Sequence, residues 1–156
     1  MDAIDRNIIR SLQKDARLTN QDLADQINLT PSPCLRRVRS LEKSGVLSGY
    51  TAIVDQEKYG LPINVFVNIR LEKQSDEAIR EFEDGIQKLD EVLECYLMTG
   101  SRDYLLRVVS QSLKTYETFV REKLTTINGI AGIESSFAFG QVKQNTIFPP
   151  LAHFGQ

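Results

Sequence analysis

The chain has 156 residues, 41% of them hydrophobic and 26% charged, with a net charge of −2. That is the composition of one ordinary folded domain or two small ones, far from a disordered chain. Its one histidine, His153, stands in the tail, and Cys34 and Cys95 form no CxxC-type pair. No metal site, cofactor, disulfide framework or histidine-dependent catalysis is therefore expected.

No run approaches the ~20 apolar residues of a membrane span. The acidic, amphipathic start MDAIDRNIIRSLQKD is not a secretory signal, so a cytoplasmic protein without a membrane partner is expected. The charge is unevenly spread. Residues 1–50 hold eight Lys/Arg against six Asp/Glu, leaving −4 for the remainder. Local sign matters, because counterion release depends on the charges that touch a nucleic acid.

Ile4, Ile8, Ile9 and Leu12 predict a first helix over about residues 4–15. Thr19 with Asp22 reads as a capping box opening a short helix with Leu23, Ala24 and Ile27 inward. Thr30 is expected to cap a second helix, whose first turn tolerates Pro31 and Pro33 because those positions need no intrahelical N–H bond. At roughly 100° per residue, Cys34, Leu35, Val38 and Leu41 gather on one side of residues 32–43. Ser32, Pro33, Arg36, Ser40 and Lys43 gather opposite, with Arg37 and Arg39 on the shoulders. An apolar back and an Arg/Ser front, preceded by a short helix and a turn, is the helix-turn-helix arrangement, whose second helix enters the major groove of double-stranded DNA. Arg36 is expected at a base edge. Arg37 and Arg39 are expected at phosphates, with Asn20 and Gln21 at the preceding helix's start.

After Gly45, the segment YTAIVD reads as a short strand, and Gly60-Leu61-Pro62 as the boundary between residues 1–61 and 62–156. From Ile63 to Leu71 apolar and polar residues alternate, as in a half-buried strand. Ser75 caps a helix with Ile79, Phe82, Ile86 and Leu89 inward. Residues 92–99 and 104–109 read as strands joined by a hairpin at 100–103. Ser112 opens a further helix with Leu113, Tyr116, Phe119, Val120, Leu124 and Ile127 inward, closed near Gly129. Residues 130–139 form the last long strand, and the tail leaves room for a short one near Thr146–Phe148. Strand–helix–strand twice over is the ferredoxin-like split pattern, so the fold class is α+β, a helix-turn-helix domain and then a βαββαβ domain. Phe66, Val92 and Tyr96 would line the sheet face its helices leave bare, and such a face needs a partner, so a sheet-to-sheet homodimer is expected.

Over about residues 2–148 the chain resembles the Lrp/AsnC family of feast/famine transcription regulators. The resemblance lies in IDRNIIRSLQKDAR, LTPSPCLRRVRSLEKSGVLSGY and the hairpin ECYLMTGSRDYLLRV, in the family's order. PSPCLRRVRSLE is similar to the leucine-responsive branch in particular. The resemblance implies that the DNA-binding domain is a winged helix-turn-helix and that the second domain senses a small effector, usually an amino acid. It implies dimers joined into larger even rings, as in an octamer, and allosteric control of amino-acid metabolism genes rather than enzyme activity. The candidate DNA contacts read from the two helices are Asn20, Gln21, Thr30, Ser32, Pro33, Arg36, Arg37, Arg39, Ser40 and Lys43. Arg102 in the hairpin loop and the longer, proline-containing tail depart from the family pattern.

The loop Thr99–Asp103 suits a zwitterion: Asp103 offers an acceptor for an ammonium, and main-chain N–H groups near Gly100 and Ser101, with the Thr99 hydroxyl, offer donors for a carboxylate. Gly100 lets the backbone approach closely. In relatives, last-strand residues of a neighbouring subunit close this pocket, which maps to Ser135 and Ser136. Cys34, beside the helix start, reads as a small packed residue with a reactive thiol as the alternative. Arg107 is expected to pair with a carboxylate.

Overall fold

A computed structural model describes residues 1–150. They divide into two compact units: Met1–Ile53 together with the tail from Val142, and Val54–Gln141. His153 lies outside the described residues.

In the first unit, helix α1 (Ala3–Lys14) opens on a reciprocal capping box that the sequence reading did not include. The Asp5 N–H donates to Asp2 Oδ1 and the Asp2 N–H to Asp5 Oδ2, both at 2.9 Å. Helix α2 (Asn20–Gln26) opens at Thr19, whose hydroxyl accepts from the Asp22 N–H at 3.1 Å and donates to the Asp22 carboxylate at 2.6 Å. That box closes through the hydroxyl and not through the cap's own N–H. Helix α3 (Pro31–Lys43) follows, and Thr30 makes no side-chain cap bond. Pro33 explains the difference: it stands at the third helical position, where a cap usually finds its N–H donor, and proline has none. Ile8, Leu12, Leu23, Ala24, Cys34 and Leu41 form the core, with Val38 and Leu47 packed against it. Leu35, expected inward, is exposed at the rim of that stripe. Cys34 is fully buried, and burial pushes its thiol pKa up, so it is a packing residue and not a reactive thiolate.

Neither expected flanking strand forms among the described residues: residues 50–55 and 146–148 have no ladder partner. An isolated extended segment leaves its main-chain groups to water, so it is not a strand without a neighbour. The tail is held otherwise, because the Gln13 amide donates to the Thr146 carbonyl at 2.8 Å and accepts from the Phe148 N–H at 3.3 Å. Residues expected in the second domain thus belong to the first compact unit.

In the second unit the order is β1 (Ile63–Leu71), α4 (Asp76–Ile86), β2 (Val92–Leu97), β3 (Tyr104–Ser110), α5 (Leu113–Glu122), a 3-10 turn (Leu124–Thr126) and β4 (Ile130–Phe137). The sheet is antiparallel with order β2-β3-β1-β4, the βαββαβ arrangement. Ser75 and Ser112 cap α4 and α5 as their positions predict. Val65, Val67, Ile69, Leu106 and Val108 face the helices and pack on Phe82, Ile86, Phe119 and Leu124. Phe82 and Tyr104 bring their ring centroids to 4.5 Å, and the Tyr104 hydroxyl donates to Glu83 at 2.9 Å. Helix α5 ends sooner than its apolar spacing suggests, and Leu113 is exposed.

Phe66 and Tyr96 do point away from the helices, across from Arg107 and Leu105. Val92 does not. It pairs with Val108 on the helix side, because a bulge between Val92 and Glu94 inserts one residue and reverses the alternation.

Candidate functional site

Burial of Cys34 and Leu41 turns the opposite side of α3 outward, so Ser32, Arg36, Arg39, Ser40 and Lys43 are all exposed. Gln21 and Thr30 are exposed beside it, and Pro33 is half-buried. Two sequence-assigned residues are occupied within the fold. The Asn20 amide donates to the Pro31 carbonyl at 2.9 Å and so ties α2 to the start of α3. Arg37 turns towards α1, where Nη1 donates to Asp2 Oδ2 at 2.8 Å and to Asp5 Oδ1 at 2.7 Å. Asp2 and Asp5 were not singled out from sequence, although two acids three apart at a helix start were a usable signal.

The Asp2 carboxyl is held below the ordinary carboxylate range, first by the Asp5 N–H and then by Arg37. A depressed acid stabilises the fold fully above its unfolded value, here 3.8, and loses that contribution as pH falls through the lower folded value. Asp2→Asn keeps a capping oxygen but loses the charge facing Arg37. Its urea midpoint should lie below wild type at neutral pH, and the gap should close well below pH 3.8, as followed by circular dichroism.

In the second unit, β2 ends at Leu97, so the link to β3 spans residues 98–103 and is longer than a four-residue hairpin. Gly100 sits at φ +110, open to glycine and strained for other residues. Thr99, Gly100 and Ser101 are exposed, and Asp103 is half-buried. The Asp103 carboxylate accepts from the Leu71 N–H at 2.7 Å and from the Gln74 amide at 2.6 Å, anchoring the loop to the end of β1. A carboxylate has about four lone-pair positions, so acceptor capacity remains for a ligand. Arg102 pairs with Glu134 at 2.5 Å.

Ser135 and Ser136 alternate on β4 and so face opposite sides of the sheet. Ser135 Oγ meets the Tyr116 hydroxyl at 2.5 Å, whereas Ser136 lies opposite Phe66 on the uncovered side. Ser135 is exposed, so in Ser135→Ala water can take its place on the Tyr116 hydroxyl, and the cost in denaturant titration should be at most about 1 kcal/mol, while Ser136→Ala should be close to neutral.

Arg107 pairs with a carboxylate as expected: it reaches Glu94 at 2.8 Å and Gln56 at 3.0 Å, in the middle of the uncovered face. Tyr96, through its O–H at 2.7 Å, and then Arg107 hold the Glu94 carboxyl low. Among the described residues, no group of three or more His, Cys, Asp or Glu is placed to hold a metal, and no helix is long and apolar enough to cross a membrane.

Residues 64–148 match the Lrp/AsnC ligand binding domain, and residues 1–48 match a winged helix-turn-helix DNA-binding domain. The chain is 42% identical over 151 residues to the Bkd operon transcriptional regulator of Pseudomonas aeruginosa, covering 97% of this chain and 98% of that protein. It is 37% identical over 145 residues to the leucine-responsive regulatory protein of Escherichia coli K12, covering 93% of this chain and 88% of that one. A transcriptional regulator from Neisseria meningitidis, solved with L-Met, superposes with a TM-score of 0.90 at 33% identity over 96% of both chains.

Proposed function

This chain belongs to the Lrp/AsnC family of DNA-binding transcription regulators, and from that premise we propose that it controls genes of amino-acid metabolism in response to an amino acid. The sorting of α3 supports this most directly. Its apolar side is buried, and the side bearing Ser32, Arg36, Arg39, Ser40 and Lys43 is free for a major groove. On this proposal the first compact unit, Met1–Ile53 with the tail from Val142, serves DNA, and Val54–Gln141 serves the effector and assembly. Arg36 reads a base edge, Arg39 and Lys43 meet phosphates, and Gln21 and Thr30 flank them. The protein acts in the cytoplasm by binding alone, without catalysis or cofactor.

The complex of the Neisseria regulator with L-Met, and the naming of the Escherichia protein as leucine-responsive, support an amino acid as effector here. The exposed loop Thr99–Ser101 above Asp103 suits its two charged ends. The apolar Phe66 and Tyr96, exposed on the uncovered face, support a sheet-to-sheet homodimer, and the family supports closure into a larger even assembly such as an octamer. Two recognition helices related by a dyad would protect an imperfect palindrome with half-sites a whole number of helical turns apart.

A thermal-shift screen of the full chain against the twenty amino acids tests the effector. A ligand that binds the folded form alone raises Tm in a concentration-dependent way. A flat response to all twenty would overturn the amino-acid reading, and a monomer in light scattering would overturn the assembly.

A further inference from the structure

We propose that Arg37 is a positioning residue of DNA recognition: gripped by Asp2 and Asp5, it fixes the register of α3 against α1 and so aims Arg36 and Ser40, without contacting the duplex. The inference rests on the DNA-binding role of α3 and adds a residue that works from the flank of that face.

Three observations carry it. Arg37 Nη1 has two N–H groups, and both are spent, on Asp2 at 2.8 Å and on Asp5 at 2.7 Å. The cradle is held by bonds that do not involve the guanidinium, since Asp2 and Asp5 are cross-bonded through each other's main-chain N–H groups. The site is also partly shielded, with the Asp5 side chain 15% exposed and that of Arg37 32% exposed. Asp2 and Asp5 hold the Nη1 end against α1, and leaving them for a phosphate would exchange two anions for one; Nε and Nη2 keep three donors, and the salt slope of Arg37→Ala reads whether these meet a phosphate.

The apolar contacts between α1 and α3 fix their separation but are weakly directional. A polar tie is better suited to setting register, the best-attested use of such pairs. The consequence at the recognition face is direct, because a roll of α3 turns all its side chains together, and the tip of a long side chain such as Arg36, farther from the axis than the backbone, moves the most. Asp5, Arg36, Arg37, Ser40 and Leu41 border one depression, which puts the tie directly against that face.

Charge alone predicts the opposite sign from positioning. Removing two carboxylates beside a DNA-binding face reduces repulsion of phosphates and should tighten binding. The test uses the full chain, a duplex that the wild type selects from a random-sequence library, and a scrambled duplex, titrated at several salt concentrations. The double variant Asp2→Asn/Asp5→Asn retains capping oxygens at both positions, and melting curves check that it is folded. Its affinity for the selected duplex should fall about tenfold while that for the scrambled duplex holds or tightens. Arg37→Ala should lose the same factor with an unchanged salt slope, and combining all three substitutions should lose no more. Arg37→Lys, the milder change, should lose less with the same slope.

Tighter binding of the selected duplex by the double Asn variant overturns the proposal. So does a salt slope lowered by about one in Arg37→Ala, which would make Arg37 a phosphate contact. Failure of the wild type to select any duplex overturns the DNA-binding reading itself, and with it the positioning role.

Discussion

Arg36→Ala should lose about 5- to 150-fold in affinity for the duplex that the wild type selects, and far less on a scrambled one. Arg36 is exposed on the outward side of α3, one turn along from Ser32 and one turn before Ser40, with Cys34 and Leu41 holding the helix from behind. A guanidinium there can present two parallel N–H donors to the O6 and N7 acceptors of guanine, a pairing worth about 1–3 kcal/mol of discrimination. Arg39 is equally exposed but sits on the shoulder of the helix, where the backbone of a duplex passes. Arg39→Ala should therefore weaken both duplexes alike and lower the salt slope by about one. Fluorescence anisotropy on the two duplexes separates these outcomes. Equal losses on both for Arg36→Ala would move that residue to a phosphate.

What could be read from sequence follows from how local each cause is. Thr19, Ser75 and Ser112 cap their helices within three residues, and the alternation from Ile63 to Leu71 declares its own faces. Thr30 shows that even a local rule needs its donor: the cap is present and Pro33 withholds the N–H. Val92 was misplaced by one inserted residue, which a period-of-two argument cannot register. The segments at 50–55 and 146–148 have strand composition but no neighbour, and pairing is not a property of one segment. In the candidate sites the residue types were legible and their partners were not. A helical wheel puts Arg37 on a shoulder, but Asp2 and Asp5 stand 35 and 32 positions away. The chemistry of Asp103 likewise suggests an ammonium partner without revealing that its oxygens already hold the Leu71 N–H, 32 positions upstream, and the Gln74 amide.

That double engagement sharpens the effector prediction, which couples the two functions. An allosteric coupling of about 1–3 kcal/mol corresponds to a roughly 5–150-fold change in DNA affinity on adding the amino acid that the screen identifies. A ligand can shift the equilibrium only by its differential affinity for the competing states, so losing its ammonium partner should erase the change. Asp103→Ala removes that partner, but it also leaves the Leu71 N–H unpaired and frees the loop, so its loss of response alone is ambiguous. Asp103→Asn separates the two effects. Its oxygen can still accept from Leu71, and the Gln74 amide can turn to present its own oxygen, so the loop stays anchored while the charge is gone. DNA affinity without effector should stay nearly at the wild-type level in both variants, since Asp103 bonds within the second compact unit and α3 lies in the first. If Asp103→Asn abolishes the effector-dependent change, the carboxylate binds the ammonium. Loss in Asp103→Ala alone makes Asp103 an anchor for a loop whose main-chain groups do the binding, and a wild-type fold change in both variants puts the pocket elsewhere.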